Sequence, residues 1–201
     1  MKARKATIHR STRETDITVS LNLDGTGRAA VDTGLPFLDH MLELFAKHGL
    51  FDLTIRARGD LAVDYHHTVE DLGLTLGEAL DQALGSRTGI VRCGHACVPM
   101  DDTLARAVVD LGGRPYLVWE FANRARKILA FDLALLREFA LALTVKGRLN
   151  LHVAQFYGRD PHHAYEAAFK AMARALADAA RRDPRVRGAA CLLYTSPSPR
   201  D

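Results

Sequence analysis

Polar and apolar residues alternate cleanly over Thr15–Leu23, the period-two signature of a half-buried strand. Residues 5–10 read as a strand before it. Asp24-Gly25 is a hairpin-turn signal, so 27–32 is expected to return beside 15–23. The period then lengthens. Phe37, Leu38, Met41, Leu42, Leu44 and Phe45 form a helical stripe, with Pro36 near its start and Gly49 at its end. A strand over 50–58 follows. A second helix then runs to about Gly85, with Asp64 as its N-cap. The second half repeats this grammar. Strands are predicted at 90–98, 103–111 and 115–121, with Gly112-Gly113 as a turn. A helix follows over about 132–146, closing at Gly147, then a strand over 149–156. The last helix spans about 161–182, where Asp160-Pro161 supplies a cap and a first-turn proline. The pattern predicts an α+β fold made of a duplicated half-domain, each half a mostly antiparallel sheet with two helices on one face. The expected halves are 1–88 and 89–190. The Ser-Pro-rich residues 191–201 are predicted to be an extended or disordered tail.

A motif shared by the two halves gives this repeat chemical content. His66-His67-Thr68-Val69-Glu70 returns as His162-His163-Ala164-Tyr165-Glu166, 96 residues later. Residues i and i+4 share a helix face. His66 and Glu70 can therefore close on one ion, and so can His162 and Glu166. His67 and His163 are rotated by about 100° and can serve another. Imidazoles beside a carboxylate suit a first-row divalent metal. A single HHxxE is more often a solvated helix face, but its return at half the chain length points to two related metal sites.

Bulk composition narrows the class. With 201 residues, 48% hydrophobic and 25% charged, the chain matches an ordinary soluble globular protein. A formal charge of +3 does not demand a nucleic-acid partner, though it suits a small anionic substrate. Three cysteines, Cys93, Cys97 and Cys191, argue against a disulfide framework. No stretch approaches the ~20 apolar residues of a membrane span, and cytoplasm is the expected location. His40, in Phe37-Leu38-Asp39-His40-Met41, stands beside an acid able to orient it. His152 is an odd residue in the apolar strand Leu149–Val153.

Together FLDHMLELFAKHGLFDL, DYHHTVEDLGLTLGEAL, GHACVPMDDTLARAVVDLGGRPY and DPHHAYEAAFKAMARAL resemble the imidazoleglycerol-phosphate dehydratases of histidine biosynthesis, over roughly residues 4–190. The resemblance implies a hydro-lyase with a duplicated α+β fold, two Mn2+ ions per active site and sites shared within a 24-subunit shell. It implies a ligand set of His40, His66, His67, Glu70, His152, His162, His163 and Glu166, the assignment of each histidine to a metal left open. It implies Glu14 as the catalytic proton-transfer group, and His48, Arg92, Arg114 and Lys170 as contacts to the substrate's phosphate and glycerol. The ligand pattern alone also suits a dinuclear hydrolase or a metal-storing shell protein.

The ending departs from the family. Members usually close with a Pro-Ser-Thr-Lys-Gly segment whose serine and lysine reach the phosphate. Here Cys191-Leu192-Leu193-Tyr194 stands in its place. The eleven residues look foreign to the fold, and a folded but impaired family member is the alternative expectation. Replacing 191–201 by a Ser-Thr-Lys ending is expected to tighten substrate binding roughly ten- to a hundredfold, the worth of one charge-assisted contact at about 1.5–3 kcal/mol. The measurement is KM of the two chains side by side; equal values would remove any role for the tail.

Overall fold

A computed structural model describes residues 3–123 and 125–186. The tail expectation for 191–201, and Cys191 with it, lies outside the described residues.

The first half folds as β1 (Lys5–Ser11), β2 (Thr15–Asn22), β3 (Ala29–Asp32), α1 (Pro36–Gly49), β4 (Asp52–Gly59) and α2 (His66–Leu84). The second folds as β5 (Cys93–Met100), β6 (Thr103–Asp110), β7 (Tyr116–Glu120), the short hairpin β8 (Lys127–Ile128) and β9 (Phe131–Asp132), α3 (Ala134–Gly147), β10 (Asn150–Tyr157) and α4 (Pro161–Ala180). The sheet orders are β1-β2-β4-β3 and β5-β6-β10-β7. In each sheet two pairings are antiparallel, and the last, β3 with β4 or β7 with β10, is parallel. The two halves thus share one topology, with their helices at matching places in the order of elements.

One expectation fails in an instructive way. Residues 27–32 do not return as a hairpin beside β2. Both edges of β2 are taken, by β1 and β4, and β3 instead lies parallel to β4 at the sheet edge. Asp52 at the start of β4 fixes this path: its carboxylate accepts the N–H groups of Thr26 at 2.8 Å and Arg28 at 3.2 Å. Likewise Gly112-Gly113 leads into a crossover rather than a hairpin, because β7 pairs with β10. Asp132 sits in β9, one short hairpin before α3, and its carboxylate accepts the Ala134 N–H at 2.9 Å. Neither Gly49 nor Gly147 supplies the left-handed residue that ends its helix. Leu50 and Arg148 do, at φ 56° and 50°. The glycines are needed for space instead, since a Cβ on Gly49 would meet the Phe51 ring at 2.3 Å.

The alternating strands bury Ile17, Val19 and Leu21 of β2 and Leu151 and Val153 of β10 on inner faces that meet the helices. α2 packs on β1 and β2, and α4 on β5 and β6; α1 lies against α4, and α2 against α3. The four helices therefore form a middle layer with one continuous core through both halves. Close approach needs small residues. A Cβ on Gly77 would stand 2.7 Å from the Leu143 carbonyl oxygen and 2.8 Å from the Gly147 nitrogen, both backbone. Gly77→Ala gains about 1 kcal/mol of helix propensity but forces an overpacked helix pair at about 1–3 kcal/mol. Because the neighbour is backbone and cannot swing away, the upper part of that range applies and a net loss of up to about 2 kcal/mol is expected, read as a lower urea midpoint with unchanged slope.

Candidate metal and substrate site

The two histidine pairs sit at helix N-termini, fixed there by the turn before each helix. At α4, Asp160 accepts the N–H of His162 at 2.7 Å and of His163 at 3.3 Å, and Pro161 starts the helix. At α2 the cap is displaced by one residue. Tyr65 holds the capping position, while the Asp64 carboxylate accepts the His66 N–H at 2.8 Å.

At α4 the side chains converge. Nε2 of His162 lies 3.1 Å and Nε2 of His40 lies 3.3 Å from the same oxygen of Glu166. Their ligand atoms all fall within 4.8 Å of one another, the group of three potential metal ligands found among the described residues. Glu166 is buried, and its other oxygen takes the Lys170 ammonium at 2.5 Å. Burial alone would raise its carboxyl; the bonds from Lys170, His40 and His162 outweigh that and hold it below its ordinary value. Asp39 does not orient His40. Its carboxylate is occupied by the Thr33 N–H and hydroxyl, where it fixes the entry to α1.

The first-half motif is more open. His66 Nε2 stands 3.2 Å from Glu70, with both side chains nearly half exposed. The middle histidines turn elsewhere. His67 Nδ1 lies 3.0 Å from Asp60, and His163 Nδ1 lies 3.0 Å from Asp102. These bonds are the leading causes that raise both imidazoles above their ordinary value. Asp102 is in turn held far below its own, first by the Arg159 N–H and then by His163. Asp60 and Asp102 were not singled out for this role by sequence, because each meets its histidine only after the chain has folded back.

The substrate residues divide into two groups. His48, on α1, lies beside Lys170 and Arg174; burial first, then these two charges, lower its pKa. Glu166, Lys170 and Arg174 follow one another at i+4 along α4, so cationic groups lead away from the carboxylate along one face. Arg174 was not singled out in the sequence. Glu14 is exposed in the β1–β2 turn, where the Asp60 N–H donates to its carbonyl at 3.1 Å. Arg92 and Arg114 lie elsewhere. The Arg92 N–H bonds the carbonyl of Ala179, near the C-terminus of α4 and about 25 Å from His162 by helical rise. Its guanidinium holds Asp110 at 2.7 and 3.1 Å. Arg114 is exposed at that end, its carbonyl accepting from Asn150. His152 also stands there, outward on β10 beside Tyr116, between the inward Leu151 and Val153. Within one chain the structure thus brings together His40, His162 and Glu166, with His48 and Lys170 next to them. It does not bring His152, Arg92 or Arg114 to them.

Fold and site define a duplicated α+β protein with a histidine–carboxylate cluster at the N-terminus of a motif helix. The model of the imidazoleglycerol-phosphate dehydratase family matches residues 33–176, and the chain belongs to that family. It is 54% identical over 186 residues to the imidazoleglycerol-phosphate dehydratases of Geobacter metallireducens and Geobacillus kaustophilus, covering 92% of this chain and 95% of each relative. The crystal structure of the dehydratase from Staphylococcus aureus superposes with a TM-score of 0.81 at 36% identity, covering 89% of this chain and 99% of that one. The Pyrococcus furiosus enzyme, in complex with (S)-C348, gives 0.77 at 38% identity, covering 89% and 96%.

Asp160→Ala removes the cap that sets both histidines of α4. It is expected to cost about 1 kcal/mol of stability, measured by urea unfolding; an unchanged midpoint would mean the turn holds without it.

Proposed function

We propose that this chain removes water from imidazoleglycerol phosphate to give imidazole-acetol phosphate, in the histidine pathway and in the cytoplasm. The observation that carries this is the likeness to named dehydratases over nearly the whole chain, with all eight ligand-type residues present.

The donor set of His40, His162 and Glu166 fits a first-row divalent ion. His66, Glu70, His67, His163 and His152 complete two sets of three imidazoles and one carboxylate, and Mn2+ is the ion we assign. Such an ion, when bound, supplies positive charge that makes the substrate's imidazole NH more acidic. The substrate carbon that loses its proton has no neighbouring carbonyl, so the ring must supply the electrons that expel the adjacent hydroxyl. Glu14 takes the proton from the next carbon, and the resulting enol becomes the ketone. His48, Lys170, Arg92 and Arg114 hold the phosphate, so binding energy from the inert end positions the reacting end.

The placement of Arg92, Arg114 and His152 toward the far end of α4, Arg92 about 25 Å from His162 by helical rise, supports an active site completed by a neighbouring copy. His40, His162, Glu166, His48 and Lys170 come from one chain, and His152, Arg92 and Arg114 from another. We extend this to a 24-subunit shell. A hydrolase or a metal-storing protein gains no observation of its own.

The test is turnover of imidazoleglycerol phosphate with added Mn2+, alongside particle mass by light scattering. Chelation is expected to abolish turnover, and Glu14→Gln to lower kcat by about 10²–10⁴ while metal stays bound. Metal affinity should fall as pH drops. His67 and His163 have raised pKa values, so protons compete for them already above pH 6.5, the ordinary histidine value; calorimetry at pH 6 and pH 8 gives the sign. Metal binding without dehydration, in a chain carrying the repaired ending, would overturn the assignment.

A further inference from the structure

The two halves orient their middle histidines with carboxylates from different places. The residue just before the second strand of each half is acidic: Glu14 before Thr15 in the first half, Asp102 before Thr103 in the second. In the second half that carboxylate serves the histidine. Asp102 Oδ1 lies 3.0 Å from His163 Nδ1, while its Oδ2 accepts the Arg159 N–H at 2.6 Å and the Asp160 N–H at 3.3 Å. The neighbouring Asp101, exposed, lies 3.6 Å from the other ring nitrogen. In the first half the work passes to the residue just after the β4 strand. Asp60 Oδ2 lies 3.0 Å from His67 Nδ1, and its Oδ1 is buried with no partner. By register Gly158 faces Thr103 as Gly59 faces Thr15, so the residue matching Asp60 is Arg159, which has no carboxylate to offer.

We propose that Asp102 and Asp60 are positioning residues that keep the proton on Nδ1 of His163 and His67, turning Nε2 toward the ion, and that Asp60 thereby releases Glu14 for the substrate. A carboxylate can only accept, so the facing Nδ1 must donate and Nε2 keeps its lone pair. The inference rests on the metal and Glu14 assignments above and deepens them. After duplication each half keeps one orienting carboxylate. The first half leaves the acidic residue before its second strand, Glu14, without a bond to the histidine, whereas Asp102 and Asp101 of the second half both face His163, so proton transfer belongs to one of the two related sites and not to both.

The test uses the full chain and two variants, with side-chain 15N spectra of the histidines recorded without metal and Mn2+ affinity measured by calorimetry. In Asp102→Asn the amide oxygen must face the Arg159 and Asp160 N–H groups, which leaves the NH2 toward His163. That makes Nδ1 an acceptor and moves the proton to Nε2. The expected result is an inverted tautomer at His163, an unchanged one at His67, and a ten- to hundredfold loss of Mn2+ affinity. Asp60→Gly should release the His67 tautomer. Adding Glu14→Asp, which puts an aspartate just before the second strand as in the second half, should restore that tautomer and the metal affinity without restoring dehydration. An unaltered His163 spectrum in Asp102→Asn, or recovery of dehydration in the double variant, would overturn the inference. The spectra need no metal. An inverted tautomer in a chain that binds no Mn2+ would therefore support the orienting role and defeat the metal assignment alone.

Discussion

Close contact between helices of different halves holds this molecule together. Each sheet packs its apolar inner face on the helices of its own half, and those helices pack in turn against the helices of the other half. α2 meets α3 backbone to backbone across Gly77, and a Cβ on Gly73 would stand 2.6 Å from the Phe139 carbonyl oxygen. α4 buries Ala164, Ala167, Ala168, Ala171 and Ala175, and α1 lies along it. Side chains this small let helix axes come near enough for dispersion between well-packed atoms to add up. The site depends on the same contact. His40 belongs to the first half and Glu166 to the second, and they meet because α1 and α4 share the middle layer.

Much of this was legible in the chain. The period-two stretch of β2 and the apolar stripe of α1 gave their elements directly, because one buried face imposes its period on the sequence. The His-His-x-x-Glu repeat located both site helices. Pairing partners were harder to read. Asp24-Gly25 carries a sound local hairpin signal, yet the strand after it joins a different neighbour, because Asp52, far along the chain, captures the loop. Asp39 stands next to His40 in sequence but faces Thr33. Asp60 and Asp102 orient histidines that lie 7 and 61 residues away. Local spacing encodes which residues share a helix face; it does not encode what a turn will meet when the sheet closes.

The two motif helices are alike in sequence and unlike in surroundings. Glu166 is buried, tied to Lys170 and approached by two imidazoles, whereas Glu70 is half exposed beside His66. The difference follows from what lies alongside. α1 brings His40, His48 and Phe37 against α4, and the Phe37 ring packs 5.7 Å from that of His162. The corresponding helix beside α2 is α3, whose residue at the same distance from its start as His40 is Glu138, paired with Arg137. One half became a compact cluster while the other stayed open.

The separation of His152, Arg92 and Arg114 from the α4 cluster has a kinetic consequence. On the shared-site reading, a chain can be fully folded and still hold no complete site, because the missing groups are on its own far end. Catalytic capacity is then a property of contacts between copies. It is lost on dilution before any secondary structure melts, so specific activity reports the degree of association rather than the fraction of folded molecules.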